Sequence, residues 1–198
     1  MLLQDRLKNY RLILASASPR RRELLADCDI DFVFAEKFEC EECFPVDLEV
    51  EKVAEYLSQL KSKAYPHPLC EGDILLTADT VVILGDKILG KPHSEAEAVE
   101  MISSLSGATH KVVTGVTLRT MEQTISFSAE SLVTFRKLDA EEVAYYVEKY
   151  RPMDKAGAYG IQEWIGYIGI EGIEGSFYNV MGLPTQRLYQ ALKELICE

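Results

Sequence analysis

Leu12-Ile13-Leu14-Ala15-Ser16-Ala17-Ser18-Pro19-Arg20-Arg21-Arg22-Glu23-Leu24-Leu25-Ala26 decides how the rest of the chain is read. A short apolar run, a small-residue loop and an apolar-periodic run follow one another, which predicts strand, tight loop, helix. Pro19 suits the first helical position and Ser18 the cap before it. A helix start leaves N–H groups unpaired and carries the positive end of the helix dipole, so it holds anions. Two hydroxyls, Ser16 and Ser18, and three guanidinium groups, Arg20, Arg21 and Arg22, are expected to converge there. In a chain of net charge −11 such a cationic cluster is a local feature. Taken alone, the stretch leaves open a plain surface helix start with solvated arginines.

Outward from this stretch, helical and extended patterns alternate. Phe32-Val33-Phe34 is a short strand candidate. Apolar residues at Val50, Val53, Ala54, Leu57, Leu60 and Ala64 recur at three and four, predicting a helix over 47–64 that Pro66 and Pro68 end. A strand is predicted over 73–84, apolar except at Thr77-Ala78-Asp79-Thr80, with a hairpin turn at Gly85-Asp86. Ser94-Glu95-Ala96-Glu97 reads as a capping box that opens a helix to about Leu105, closed by Ser106-Gly107. Strands over 111–119 and 124–135, rich in Val, Thr and Phe, are expected to pair. Asp139, with Glu142 three residues on, caps a helix to about Tyr150. A glycine-rich region from Gly157 to Gly175 follows, and Pro184 opens a last helix. The fold class is therefore α/β: an elongated mixed twisted sheet flanked by helices.

Composition narrows the partners. The chain carries 32 Asp and Glu against 21 Lys and Arg. That balance argues against a nucleic-acid duplex or an anionic membrane, but not against a small polyanion held by a few focused cations. No stretch approaches the roughly 20 apolar residues of a membrane span. Met1-Leu2-Leu3-Gln4-Asp5-Arg6 is charged too early for a signal peptide. Cys28, Cys40, Cys43, Cys70 and Cys197 are odd in number and irregularly spaced, so no disulfide framework is expected and the chain reads as cytoplasmic. Cys40-Glu41-Glu42-Cys43 has the C-x-x-C form, but no second pair or spaced histidines make a zinc site of it. His67, His93 and His110 are scattered and support no Ser/His/Asp or Cys/His hydrolase.

Asp79 is the sharpest single residue. An unpaired buried carboxylate costs about several kcal/mol, so a strand that carries one needs a metal, a cationic partner or a functional reason; a bulge with neighbouring amides is the alternative. Gly85 to Pro92 nearly matches the phosphate-binding loop G-x-x-x-x-G-K-[ST]. Pro92 has no hydroxyl for magnesium, and a hairpin is the wrong context. Lys91 is still held between Gly90 and Pro92, which can aim its ammonium. Glu39, Glu41 and Glu42 can hold a hard divalent cation or form a solvated acidic loop. Lys61 and Lys63, in a last helical turn, suit the dipole there. Asp154-Lys155-Ala156-Gly157-Ala158-Tyr159-Gly160-Ile161-Gln162 joins glycines that permit close backbone approach to one amide side chain, which suits reading a base edge. A structural turn explains the same glycines. Gly175 to Pro184 is a second such loop that alone says little.

Together these pieces resemble the Maf family of nucleoside-triphosphate pyrophosphatases, once described as septum-formation inhibitors. The marks run in order from about Leu12 to Leu192: Ser16-Ala17-Ser18-Pro19-Arg20-Arg21, Ala78-Asp79-Thr80, Gly90-Lys91-Pro92, Leu105-Ser106-Gly107 with His110, Thr114-Gly115-Val116, Asp154 to Gln162, Gly175-Ser176, and Asn179-Val180-Met181-Gly182-Leu183-Pro184. The resemblance implies a fold like that of inosine-triphosphate pyrophosphatases. It also implies hydrolysis between the α and β phosphates, giving a nucleoside monophosphate and pyrophosphate. Asp79 matches the family's proton acceptor. Arg20, Thr80 and Gln162 match the positions linked to substrate choice, with the identities of the dTTP/UTP subgroup rather than the 7-methyl-GTP one. Lys61 and Lys91 match its functional lysines, and Glu41 or Glu42 its loop carboxylate. Ser16, Ser18, Arg20, Arg21, Lys61 and Lys91 are then expected at the triphosphate. A divalent cation (Mg2+, Mn2+ or Co2+) is expected on Asp79 with Glu41 or Glu42, and Arg22 becomes an ordinary solvated residue. The family order Gly-Ser-Tyr-Phe-Asn appears as Gly175-Ser176-Phe177-Tyr178-Asn179, with the two rings exchanged. Further expectations are a single domain over 1–198, open to division into two lobes around a central cleft, and a homodimer. The role expected is house-cleaning of nucleotides or division arrest. The rival is a non-catalytic nucleotide-binding regulator of septum formation, which would need the loop and Gln162 but neither Asp79 nor the metal.

Overall fold

The computed structural model describes residues 2–196, so Cys197 lies outside the described residues. The opening stretch folds as strand β1 (Arg11–Leu14), a loop and helix α2 (Pro19–Ala26). β1 buries Leu12, Ile13 and Leu14 in succession, the mark of a strand covered on both faces. Its neighbours are parallel: β2 (Val33–Phe34) on one side and β3 (Asp73–Leu84) on the other, with Leu12 opposite Ile74 and Leu14 opposite Leu76. β4 (Lys87–Leu89) turns back antiparallel on β3 through Gly85, whose φ of +60° suits glycine. β5 (Thr109–Arg119), β6 (Thr124–Phe135) and β7 (Ile170–Glu174) complete a seven-stranded mixed sheet. Its order is β2-β1-β3-β5-β6-β7, with β4 on β3. The fold is α/β with helices flanking a mixed sheet. Among the described residues no helix is long and apolar enough to cross a membrane.

The chain divides into two compact units. The first takes the chain up to Asp79, then Thr114–Ala129, then Gly182 onward. Its main helix, α3 (Val53–Ala64), starts later than the 47–64 pattern suggests. Glu49 accepts the Lys52 N–H at 2.9 Å, and Val50–Lys52 forms a 3-10 turn ahead of the helix. Such i→i+3 turns commonly precede an α-helix. Val53, Ala54 and Leu57 are buried on one side of α3. The helix lies so close to β5 that a Cβ on Gly115 would overlap the backbone of Ala54 and Glu55. A short helix α1 (Leu3–Leu7), absent from the sequence reading, packs on α8 (Thr185–Leu195). Pro184 is the cap of α8 rather than its first residue.

The second unit spans Thr80–Val113 and Glu130–Met181. Helices α4 (Glu95–Leu105) and α5 (Ala140–Tyr150) share its core with Val82, Val112, Phe135, Tyr159 and Ile161. Only half of the expected Ser94 box forms. Ser94 Oγ accepts the Glu97 N–H at 3.1 Å, but the Glu97 carboxylate accepts from His93 at 2.7 Å instead of from Ser94. The Asp139–Glu142 box is complete. The glycine-rich region holds two elements the sequence pattern hides, α6 (Trp164–Gly169) and β7, and the loop after it holds a third, α7 (Phe177–Met181). Its glycines serve close packing as well as turning. A Cβ on Gly166 would overlap the Ile161 carbonyl, and one on Gly169 would lie 3.0 Å from the Phe135 ring.

Candidate active site

Side chains alternate along β3, so Thr77 and Asp79 share a face. On that face the Thr77 hydroxyl donates to the Ser58 carbonyl at 2.7 Å. The Ser58 hydroxyl lies 2.7 Å from the Thr117 hydroxyl of β5. Both serine groups therefore tie α3 to the strands at one place, and all three residues are fully buried. Two residues along the strand and one turn along the helix, Lys61 Nζ meets Asp79 Oδ1 at 2.5 Å. The same ammonium lies 3.1 Å from Glu42 Oε1. The lysine and Asp79 side chains are 16% and 14% exposed, which removes most of the water that would screen the pair. Asp79 thus finds a cationic partner, not the bulge amides that were the alternative. Lys61 does more than complement a helix dipole, whereas Lys63 is exposed.

Glu41, next to Glu42, points elsewhere: its Oε1 lies 3.5 Å from Cys43 Sγ. That contact holds the Cys43 thiol's pKa above its usual value, and burial does the same for Cys40. Neither thiol of the C-x-x-C is primed as a thiolate.

The opening loop is built around Arg21, which turns inward. Its Nε donates to the Gly182 carbonyl at 2.8 Å. Its Nη1 donates to the Ala78 carbonyl at 2.9 Å and to Ser16 Oγ at 3.1 Å. The guanidinium thereby holds the loop to β3 one residue before Asp79. Burial lowers its pKa, and the negative charge of Asp79 opposes that fall. Ser16 Oγ also accepts the Ser18 N–H at 3.3 Å. Ser18 occupies the cap position of α2 but makes no side-chain capping bond, contrary to the sequence reading. Of the three arginines, Arg20 lies near enough to Arg21 for its charge to help lower the Arg21 pKa, whereas Arg22 stands apart. Arg20 is half-buried in the first turn of α2, and Arg22 is exposed with its guanidinium 5.3 Å from the Phe34 ring centroid. The first unit thus gathers Ser16, Ser18, Arg20, Arg21, Glu42, Lys61 and Asp79.

Thr80, Lys91 and Gln162 belong to the second unit. Lys91 is exposed just after Gly90, whose carbonyl accepts the Gly157 N–H at 3.0 Å. Gly157 has φ +67°, and a Cβ there would sit 3.0 Å from a Val82 methyl. The turn bearing Lys91 and the glycine-rich loop are therefore tied together. Gln162 is half-buried, with Oε1 shielded from solvent and lacking a protein partner. His110 is a core residue. Its Nε2 lies 2.8 Å from Tyr159 Oη, its ring stacks on Phe135, and burial lowers its pKa to about 4. Asn179 is buried too, donating to the Val112 carbonyl at 3.1 Å and to Ser131 Oγ at 3.0 Å. The exchanged rings of Phe177 and Tyr178 are both exposed and meet edge-on at 5.8 Å, so their order disturbs no core.

Sequence reasoning missed the polar seam of Ser58, Thr77 and Thr117. The available signal was hydroxyls on otherwise apolar faces. It also missed Tyr146, Lys155 and Glu163, which form a buried network in the second unit with Lys155 Nζ 3.1 Å from Glu163 Oε1.

Among the described residues no three His, Cys, Asp or Glu side chains gather as a metal cage. Asp79 and Glu42 still fit a hard cation. Magnesium is usually held by one or two carboxylates plus substrate phosphates, and these are two hard oxygen donors whose charge one lysine offsets only in part. A mixed α/β sheet with this carboxylate–lysine centre, beside an arginine-pinned helix start, defines a protein suited to phosphate chemistry. The chain belongs to the Maf family: the Maf-like protein profile matches residues 11–195. A dTTP/UTP pyrophosphatase of Bacteroides thetaiotaomicron is 53% identical over 96% of this chain and 98% of its own. Those of Porphyromonas gingivalis and Flavobacterium johnsoniae are 52% and 43% identical, covering 96% and 98% of this chain and 96% and 100% of their own. Among solved structures, a HAM1 protein from Coxiella burnetii covers 93% of this chain and 99% of its own, with TM-score 0.48 and 14% identity.

Proposed function

We propose that this chain hydrolyses dTTP and UTP to the monophosphate and pyrophosphate, the whole chain acting as one Maf domain. The observation that carries the reading is the Asp79–Lys61–Glu42 centre on β3. The names of the relatives at about half identity support the substrate class. A triphosphate carries about four negative charges near neutral pH, and the leaving pyrophosphate takes most of them. In the first unit, Arg20, Lys61 and the N-terminus of α2 with Ser16 and Ser18 take up that charge, while Arg21 holds their loop against β3. Asp79 orients an attacking water and accepts its proton; general-base catalysis of this kind contributes about 10²–10⁴-fold. Asp79 and Glu42 are the residues that would hold Mg2+, Mn2+ or Co2+, which supplies Lewis-acid activation of phosphate and water. In the second unit, Lys91 adds charge toward the phosphates and Gln162 reads the base edge. Arg20 and Thr80 join in substrate choice.

Incubation of the purified protein with dTTP and Mg2+ or Mn2+ tests this directly. The expected products are dTMP and pyrophosphate. Orthophosphate with dTDP would refute cleavage between the α and β phosphates. Tight dTTP binding without turnover would favour the non-catalytic regulator.

A further inference from the structure

Tyr146 is fully buried in α5, yet its hydroxyl serves the glycine-rich loop rather than its own helix. It accepts the Gly160 N–H at 3.0 Å and donates to the Glu163 carboxylate. The other oxygen of Glu163 lies 3.1 Å from Lys155 Nζ, and Lys155 is itself 7% exposed. Lys155 also donates to Asp154 Oδ1 at 2.8 Å. The network therefore holds both ends of the segment 154–163. A Cβ on Gly160 would lie 2.9 Å from the Glu163 carboxyl carbon and 3.1 Å from Lys155 Cε, so it would displace the ends of both side chains. One residue further back, Tyr159 is held by His110 at 2.8 Å. Gln162 sits inside this frame, between Ile161, which is buried in the core, and Glu163. In this frame the amide oxygen of Gln162, like Nδ1 of His110, is shielded from water and has no protein partner.

We infer that Tyr146 is a positioning residue for base selection: its hydroxyl, gripping Gly160 and Glu163 on either side of Gln162, holds that amide oxygen as an acceptor for a uracil or thymine N–H. The inference rests on the reading of Gln162 as the base reader. Uracil and thymine present an N–H between two carbonyls, whereas cytosine presents a bare ring nitrogen beside an amino group. A fixed amide oxygen rewards the former and opposes the latter. An amide free to swing or turn over would serve both. Discrimination of this kind depends on the supporting residues as much as on the group that makes contact.

The test measures binding, so it does not depend on turnover. Dissociation constants are determined for α,β-methylene UTP and α,β-methylene CTP, with the pyrophosphate assay run separately to judge hydrolysis. Tyr146→Phe keeps the ring and removes the hydroxyl. The preference for the UTP analogue is expected to fall at least about fivefold, within the range one misplaced hydrogen bond commands. In a Gln162→Ala background the same change is expected to shift the preference less than about twofold, because its effect passes through Gln162. A merely structural role would weaken both analogues alike and leave the ratio unchanged, which overturns the inference. So does a wild-type protein that binds both analogues equally. If Tyr146→Phe does not fold, Glu163→Gln carries the test: it breaks the charge pairing with Lys155 and keeps the side-chain shape. It is expected to lower the preference at least about threefold, and an unchanged ratio overturns the inference.

Discussion

His110 offers a test of the second unit's core in which the sign and size both follow from its surroundings. The ring is 2% exposed, stacked on Phe135 and paired with Tyr159. Burial alone moves its pKa from 6.5 to about 4. On acidification the unfolded chain therefore takes up this proton near pH 6.5, while the folded chain waits until about pH 4. Between those values the unfolded state holds more protons, so stability rises with pH across the window and falls as pH drops. The penalty is absent above pH 6.5 and, at about 1.4 kcal/mol per pKa unit, reaches about 3 kcal/mol by pH 4. From pH 7 to pH 5 the expected loss from this group is about 2 kcal/mol. His110→Gln places an amide nitrogen near the Nε2 position and does not titrate. Urea unfolding at half-unit steps from pH 7.5 to 4.5 measures both proteins. The variant's stability is expected to be flatter by about 2.5 kcal/mol over that range. The carboxylates act elsewhere. Asp73 beside Arg11 and Glu142 beside Arg136 have pKa values held below the usual range. Their contributions are complete above the unfolded carboxylate pKa and are lost as pH falls below it through their folded values. Equal losses for wild type and His110→Gln between pH 7 and pH 5 would refute a buried neutral histidine.

Arg21→Met takes the arginine donor from the Gly182 and Ala78 carbonyls and one of two donors from the Ser16 hydroxyl. At about 1–3 kcal/mol for each stranded group, urea unfolding should show a loss of about 3 kcal/mol or more, and a loss under about 1 kcal/mol would deny the clamp. Gly115→Ala drives a methyl into the backbone of Ala54 and Glu55. The cost should be at least about 3 kcal/mol, read as a lowered Tm; an unchanged Tm would mean that α3 and β5 lie further apart than described. Asp79→Asn should lower dTTP turnover by at least about 100-fold with an unchanged circular dichroism spectrum, and activity within a few-fold of wild type would remove Asp79 from the chemistry. Gln162→Ala should relax base preference more than it slows the best substrate; a uniform loss across UTP, dTTP, CTP and GTP would argue against base reading.

Much of the architecture is legible locally. The run Leu12–Leu14, the proline after Ser18, the apolar stretch 73–84 and the Asp139–Glu142 box each depend on neighbours a few residues apart, so period and capping chemistry reveal them. Where glycine is placed for close packing the same reasoning fails. Gly166 and Gly169 resemble loop residues until Ile161 and Phe135 are seen against them, and α6 and β7 are hidden for that reason. The site divides the same way. Residue chemistry alone singles out Asp79, because a carboxylate in an apolar strand demands a partner. Which partner it takes is a matter of tertiary structure. Lys61 is 18 residues away and reaches Asp79 only because Ser58, Thr77 and Thr117 fix the helix against the strands. Glu42 rather than Glu41 joins them, because of how the loop approaches that lysine. Arg21, which the sequence presents as one of three equivalent cations, is separated from its Gly182 partner by 161 residues. No local pattern distinguishes it from Arg20 or Arg22. Sequence by itself determined the strand–loop–helix start and the residue types at the site. Only the folded chain decided which cation turns inward as a clamp and which carboxylates share a lysine, because those choices rest on contacts between segments far apart in sequence.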